Sequence, residues 1–282
     1  MSAPKSLKEQ IADYIGRSSL QLPVFNPIAL ELQEVLRDDR ADASTIETAI
    51  SKDPALVVQV LRMANSSLYT GLNEITTMRQ ALMRLGAKQV SRLAISAAQL
   101  SLYRSKDALV ASYMTDLWHQ AYASAVGACW IAEKSGYQDI AESAFLAGLL
   151  HDVGKLLILK AIEGINSNEQ SGQALPRSLV DDMLESLHNE YGHMLMKRWN
   201  LPDAYCVVGR DHHKETFEQE QILLIIVRLL DQVCAKLGIG CAANLEAMPS
   251  ASAEAQVLRL TDIRMAELEI MLEDAIMVPQ AV

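Results

Sequence analysis

The chain has 282 residues, half of them hydrophobic, which is enough apolar mass to bury the core of one large domain or two fused lobes. A formal net charge of −10 argues against broad contact with nucleic-acid backbones, because affinity for phosphates rests on clustered Lys and Arg. Aromatic residues make up only 5% while Ala, Leu, Met, Glu and Gln are plentiful, so an all-α fold is expected.

Residues 1–10 carry Lys5 and Lys8 with no apolar stretch behind them, so no secretory leader is expected. Cys129, Cys206, Cys234 and Cys241 are scattered without a Cys-x-x-Cys pair and read as small core residues in a reducing, cytoplasmic setting. The first strong helix signal is Asp53-Pro54, an N-cap residue with proline at the first helical position, followed by Leu56, Val57, Val60, Leu61 and Ala64 at helical spacing and a stop near Asn65-Ser66. Thr76 or Thr77 can cap a short helix that stops at Gly86, and another helix is expected from 87 to about 103. Polarity rises at Ser105-Lys106-Asp107, which divides a helical lobe over 1–105 from a second over 106–240 that opens on the helix of Trp118, His119 and Tyr122. A loop is expected over 164–176, then helices from about 179 to 199 and after Pro202. The longest apolar runs, such as 222–227, are too short to cross a bilayer. After Gly238-Ile239-Gly240 comes a C-terminal extension, 241–282, with an amphipathic segment over about 252–276 whose acidic outer face suits packing on its own chain.

The segment ESAFLAGLLHDVGK at 142–155 reads as helix, with Ala144, Ala147 and Gly148 sharing a stripe with His151, and Phe145 and Leu149 sharing the next with Asp152. Both side chains point inward, and adjacent positions diverge by about 100°, which suits two ligands gripping one ion or one ion and its bound water. His188 shares its stripe with Leu184, Leu187, Tyr191 and Leu195 and is expected buried; His193 aligns with Asn189 and Lys197 and is expected exposed. His212 and His213 can each face the core. Asp231 sits among Leu224, Val227 and Cys234, where a carboxylate needs a cation or several donors to offset desolvation. Any one of these residues is most simply a hydrogen-bonded core group or a cap. As a set, inward His and Asp on five helices with two adjacent pairs point to a divalent transition metal.

The pattern His119, His151-Asp152, Asp231 resembles the H…HD…D signature of the HD superfamily of metal-dependent phosphohydrolases. More narrowly, the chain resembles the HDOD branch, the HD-related output domains of bacterial signalling proteins. The matching stretches are LPVFNPIALELQEVL at 22–36, ISKDPALVVQVLRMANSSLY at 50–69, ALMRLGA at 81–87, FLAGLLHDVGK at 145–155, HNEYGHMLMKRWNLP at 188–202 and DHHK at 211–214. The resemblance implies a two-lobed multi-helical fold and a metal held by His119, His151, Asp152 and Asp231. His188, His212 and His213 match positions that hold a second ion in relatives with more than one. Lys155 matches a lysine that touches substrate phosphate in catalytic relatives. Relatives that hydrolyse cyclic di-GMP carry a Gly-Tyr-Pro motif soon after the paired histidines; here KETFEQEQILL follows, which disfavours that activity.

The leading expectation is a signalling domain that binds one or two divalent transition ions, with iron, manganese, zinc and nickel all compatible. It would also take a phosphorylated small molecule, a signalling protein partner, or both. A metal-dependent phosphohydrolase is the alternative, with Asp152 bridging ions or orienting the nucleophile and Lys155 neutralising developing charge. A third reading is a metal-free scaffold in which imidazoles bond to Asp152 and Asp231.

Overall fold

The computed structural model describes residues 5–16, 23–37, 43–69, 71, 73–168 and 175–277, and all regular structure among them is helical. The N-terminal lobe comprises α2 (Pro27–Arg37), α3 (Ala43–Ser51), α4 (Pro54–Ala64), α5 (Met78–Leu85) and α6 (Ala87–Leu100). Asp53 caps α4 by accepting from the backbone N–H groups of Ala55 and Leu56 at 2.9 and 3.2 Å. Of the two threonines offered by the sequence, Thr77 is the cap of α5, in a reciprocal box with Gln80. The helix after Gly86 ends at Leu100, three residues before the expected end.

The scaffold of the second lobe is α7 (Ala108–Lys134), capped by Asp107. On it pack α8 (Ala141–Leu150), α9 (Val153–Asn168), α12 (Ile222–Leu237) and α14 (Asp262–Ile276). Trp118 and Tyr122 of α7 are fully buried and stack on one another, with Tyr103 edge-on to Trp118 at 5.4 Å. The remaining elements of this lobe are α10 (Arg177–Arg198), which lies along α9, and α11 (Asp203–Asp211), which packs on α10. The first helix, α1 (Leu7–Gly16), packs on α9.

Three further boundaries differ from expectation. The helix expected over 142–155 is two helices, and His151-Asp152 is the junction between them. Close approaches on either side turn the chain there. A Cβ on Gly148 would lie 2.3 Å from the Ser124 carbonyl oxygen of α7, and one on Gly154 would lie 1.9 Å from the His188 carbonyl oxygen of α10. Glycine therefore lets α8 and α9 each press against a different helix. The loop expected to begin at 164 begins later, because α9 continues to Asn168; its positions 169–174 lie outside the described residues. The single amphipathic segment over 252–276 is split into α13 (Ala253–Val257) and α14 by Arg259, whose φ is +53°, with Ser252 and Thr261 as separate N-caps.

One continuous apolar core runs through all these elements. Arg92 of α6 ties the two lobes together, reaching Glu142 of α8 at 2.7 Å and Glu133 of α7 at 3.2 Å. None of the described helices is long and apolar enough to cross a membrane.

Candidate metal centre

The junction of α8 and α9 places His151 and Asp152 under α10 and α11, and the side chains of His188 and His212 meet them there. All four are at most 3% exposed. Each imidazole is fixed by its Nδ1, which faces a backbone carbonyl: Gly148 for His151 at 2.8 Å, Leu184 for His188 at 2.7 Å and Val208 for His212 at 3.0 Å. A carbonyl only accepts, so Nδ1 carries the proton and Nε2 presents its lone pair to the centre.

Those lone pairs surround one carboxylate. The Asp152 Oδ1 atom lies 3.6 Å from both His188 Nε2 and His212 Nε2, and Oδ2 lies 3.5 Å from His151 Nε2. These separations are too long for hydrogen bonds. The three Nε2 atoms and Oδ1 are buried with no hydrogen-bond partner. Donors that share an ion at about 2.0–2.2 Å stand roughly 3–3.5 Å apart, close to the spacing seen. The residues therefore fit a transition metal, both by donor chemistry and by the unmet polar atoms that a metal would satisfy.

Lys155 is drawn into the cluster from the first turn of α9. It is 6% exposed, and its Nζ donates to Asp152 Oδ2 at 2.6 Å. Burial alone would raise the Asp152 pKa, but Lys155 and then the imidazoles outweigh it and hold the carboxylate well below its usual range. Burial also opposes the Lys155 charge, yet Asp152 and Asp231 overcome it and keep the ammonium protonated. Desolvation lowers His151 and pushes His188 down to about 4.

Asp231 and His213 stand at the edge of the cluster. Asp231 meets in part the need for partners that its apolar stripe implied: Oδ1 accepts from Gln120 Nε2 at 3.2 Å, while Oδ2 faces His213 Nδ1 at 3.5 Å, beyond hydrogen-bond distance. His213, unlike its buried neighbour, is partly exposed, with its side chain 44% accessible and its ring 4.2 Å from that of His212. Behind His212, Arg228 donates to its carbonyl at 3.0 Å and to Glu254 at 2.8 Å, so the C-terminal extension braces the paired histidines.

His119 is not brought into this cluster. It is half-buried on the stripe of α7 that carries the part-exposed Val126 and Trp130, and burial holds its pKa below the usual value against the raising effect of nearby Asp116. Its neighbour Gln120, on the buried face with Ser124, is the α7 residue that meets Asp231. One helical position, about 100°, separates the two. The signal in the sequence is a glutamine one turn before Ser124 on the face of α7 that turns inward. His193 is half-buried rather than exposed, its Nδ1 bonded to the Cys206 carbonyl at 3.1 Å.

A cavity of about 450 Å³ opens beside the cluster, lined among others by Lys155, Asp181, Glu185, His188, His213 and Asp231. Its acids outnumber its single ammonium, so a bound anion needs further positive charge to be held there.

The fold is an all-helical bundle with a buried cluster of imidazoles around one aspartate. The chain belongs to the HDOD domain family, whose family model matches residues 22–215. Over 96% of its length and 99% of the other, it superposes on an HDOD domain protein from Geobacter sulfurreducens with a TM-score of 0.72 at 20% identity. A signal transduction protein, so named provisionally, from Marinobacter aquaeolei VT8 gives 0.69 at 21% identity, covering 96% of this chain and 64% of that one. A protein from Shewanella amazonensis SB2B, provisionally named a metal-dependent phosphohydrolase, gives 0.64 at 18%, covering 96% of each. At such identities the likeness is one of fold. An uncharacterized protein of Treponema pallidum (strain Nichols) is 28% identical over 211 residues, 73% of this chain, and the chain spans about two fifths of that relative's length.

Proposed function

We propose that this chain is a cytoplasmic signalling domain whose pocket holds a divalent transition metal and whose loaded state is read by a protein partner. One observation carries the reading: three imidazole Nε2 atoms and a carboxylate oxygen, all buried and without partners, face one another. Leaving four such groups unsatisfied costs several kcal/mol, roughly 1–3 kcal/mol each, which an ion would recover. The chain's own residues prepare the centre. Backbone carbonyls fix the three tautomers, Lys155 keeps Asp152 ionised, and Arg228 with Glu254 holds the turn after His212.

A metal there would supply the positive charge that a phosphoryl oxygen requires. The acid-rich cavity supports a ligand of that kind only with the metal in place, so occupancy by a phosphorylated small molecule would report on metal status. The cavity's direct opening onto the cluster also favours a second reading, hydrolysis of a nucleotide or other phosphate ester, in which Lys155 and Asp152 would touch the reacting group.

Metal analysis of protein purified without chelator tests both readings. The expected result is a substantial fraction of an equivalent, and less than about a tenth of an equivalent of any transition metal would remove them. On metal-containing protein, a screen of nucleotides and generic phosphate esters separates the two. Turnover abolished by Asp152→Ala supports the enzyme; turnover that persists in that variant comes from a contaminant.

A further inference from the structure

The two oxygens of Asp152 have different surroundings, although a family resemblance treats the carboxylate as a single ligand. Oδ1 looks toward His188 Nε2 and His212 Nε2, both at 3.6 Å, and all three atoms lack a partner. On the other side, Oδ2 receives the Lys155 ammonium at 2.6 Å, with His151 Nε2 at 3.5 Å.

We infer that the centre takes one ion, on the Oδ1 side with His188 and His212 as its imidazole ligands, and that Lys155 fills the place of a second ion on the Oδ2 side. This rests on the metal-binding reading above and specifies which donors serve it. A carboxylate that bridges two ions must offer an oxygen to each, and here one oxygen already holds a cation. An ammonium in contact with Oδ2 also repels an arriving divalent charge, and it does so with little screening at a buried position.

Two further groups on that side, Asp231 and Gln120, agree. Asp231 has one oxygen committed to the Gln120 amide at 3.2 Å, while the other faces His213 Nδ1 at 3.5 Å, beyond hydrogen-bond distance. α7 contributes Gln120, an amide, where a transition metal would favour an imidazole. The Gln120 side chain is wedged against Gly240, where a Cβ would lie 2.3 Å from its Oε1, so the amide is built into its position. His151 Nε2, on the Lys155 side at 3.5 Å from Oδ2 and without a hydrogen-bond partner, stays outside the ligand set of an ion on the Oδ1 side.

The test is metal stoichiometry. Full-length chain is stripped with chelator, loaded separately with Zn²⁺ and Mn²⁺, desalted and analysed by plasma mass spectrometry, with circular dichroism checking each variant's fold. The wild type should retain about one equivalent of the preferred ion. His188→Ala and His212→Ala should each lower affinity by at least about ten-fold, whereas His151→Gln should keep the ion. Lys155→Met should raise capacity toward two.

Two tightly held ions in the wild type would overturn the inference while leaving the metal reading intact. So would loss of the ion in His151→Gln, whether or not His188→Ala retains it. Less than about a tenth of an equivalent in the wild type is the distinct failure that removes the metal reading itself. Should Lys155→Met not fold, wild-type stoichiometry and His151→Gln decide the matter.

Discussion

Burial sets the protonation of His188 before any ion arrives. In the metal-free folded chain its pKa is pushed down to about 4, against about 6.5 for an unperturbed histidine. Between those values the unfolded chain binds more protons than the folded one, so stability is lost as pH falls from about 6.5 toward 4. At about 1.36 kcal/mol per unit, this one residue accounts for roughly 3 kcal/mol across the window. Urea titrations of chelator-treated protein at pH 7 and pH 5 should show a lower midpoint at pH 5, with a smaller difference in His188→Gln. Equal midpoints at the two pH values would mean that His188 takes up its proton without unfolding. The histidines also show what a residue's neighbours in sequence can reveal. His188 lies buried as its apolar stripe implied, whereas the half-buried state of His193 depends on α11 arriving over it.

At the scale of elements, the geometry of the centre depends on two glycines that admit neighbouring backbones. Gly154 is the tighter, and its absent side chain lets α9 meet the His188 carbonyl of α10. In Gly154→Ala the added carbon meets backbone rather than a flexible side-chain tip, so the helices must separate. The expected cost is about 3 kcal/mol, at the upper end for overpacking, together with weakened metal retention because His188 moves with α10. Thermal unfolding and metal analysis of the variant check the two parts independently; a midpoint within 2 °C or so of wild type would show that the α9–α10 contact has slack. The sequence showed small residues beside His151 but not which helix each would meet. For that reason the 142–155 segment reads as one helix although it is two.

At the scale of the molecule, the lobes share one apolar core and are bound by Arg92, whose side chain is only 12% exposed between Glu142 and Glu133. Removing one member of a largely buried charge pair leaves the other uncompensated. Arg92→Ala should therefore cost roughly 2–3 kcal/mol, tempered by the partial exposure of Glu142 and Glu133, and lower the midpoint by about 4–12 °C in one cooperative transition. Calorimetry distinguishes this from two transitions, which would mean that the lobes unfold separately. The C-terminal helices join the same unit, since α14 lays Met265, Leu268, Leu272 and Ala275 on α7.

The sequence by itself determined the helical class, the cap at Asp53, and the inward-facing His151, Asp152 and His188. These depend on the chemistry of neighbouring residues and on the 3.6-residue period, which are local. The family was legible as well, because its motifs are runs of residues in order. Tertiary structure alone decided that Lys155 is buried against Asp152 and that Gln120, not His119, meets Asp231. It also decided that the two oxygens of one aspartate face different partners. Those facts depend on how α7, α9, α10 and α12 are rotated about their own axes, and that rotation is set by long-range packing between segments far apart in the chain.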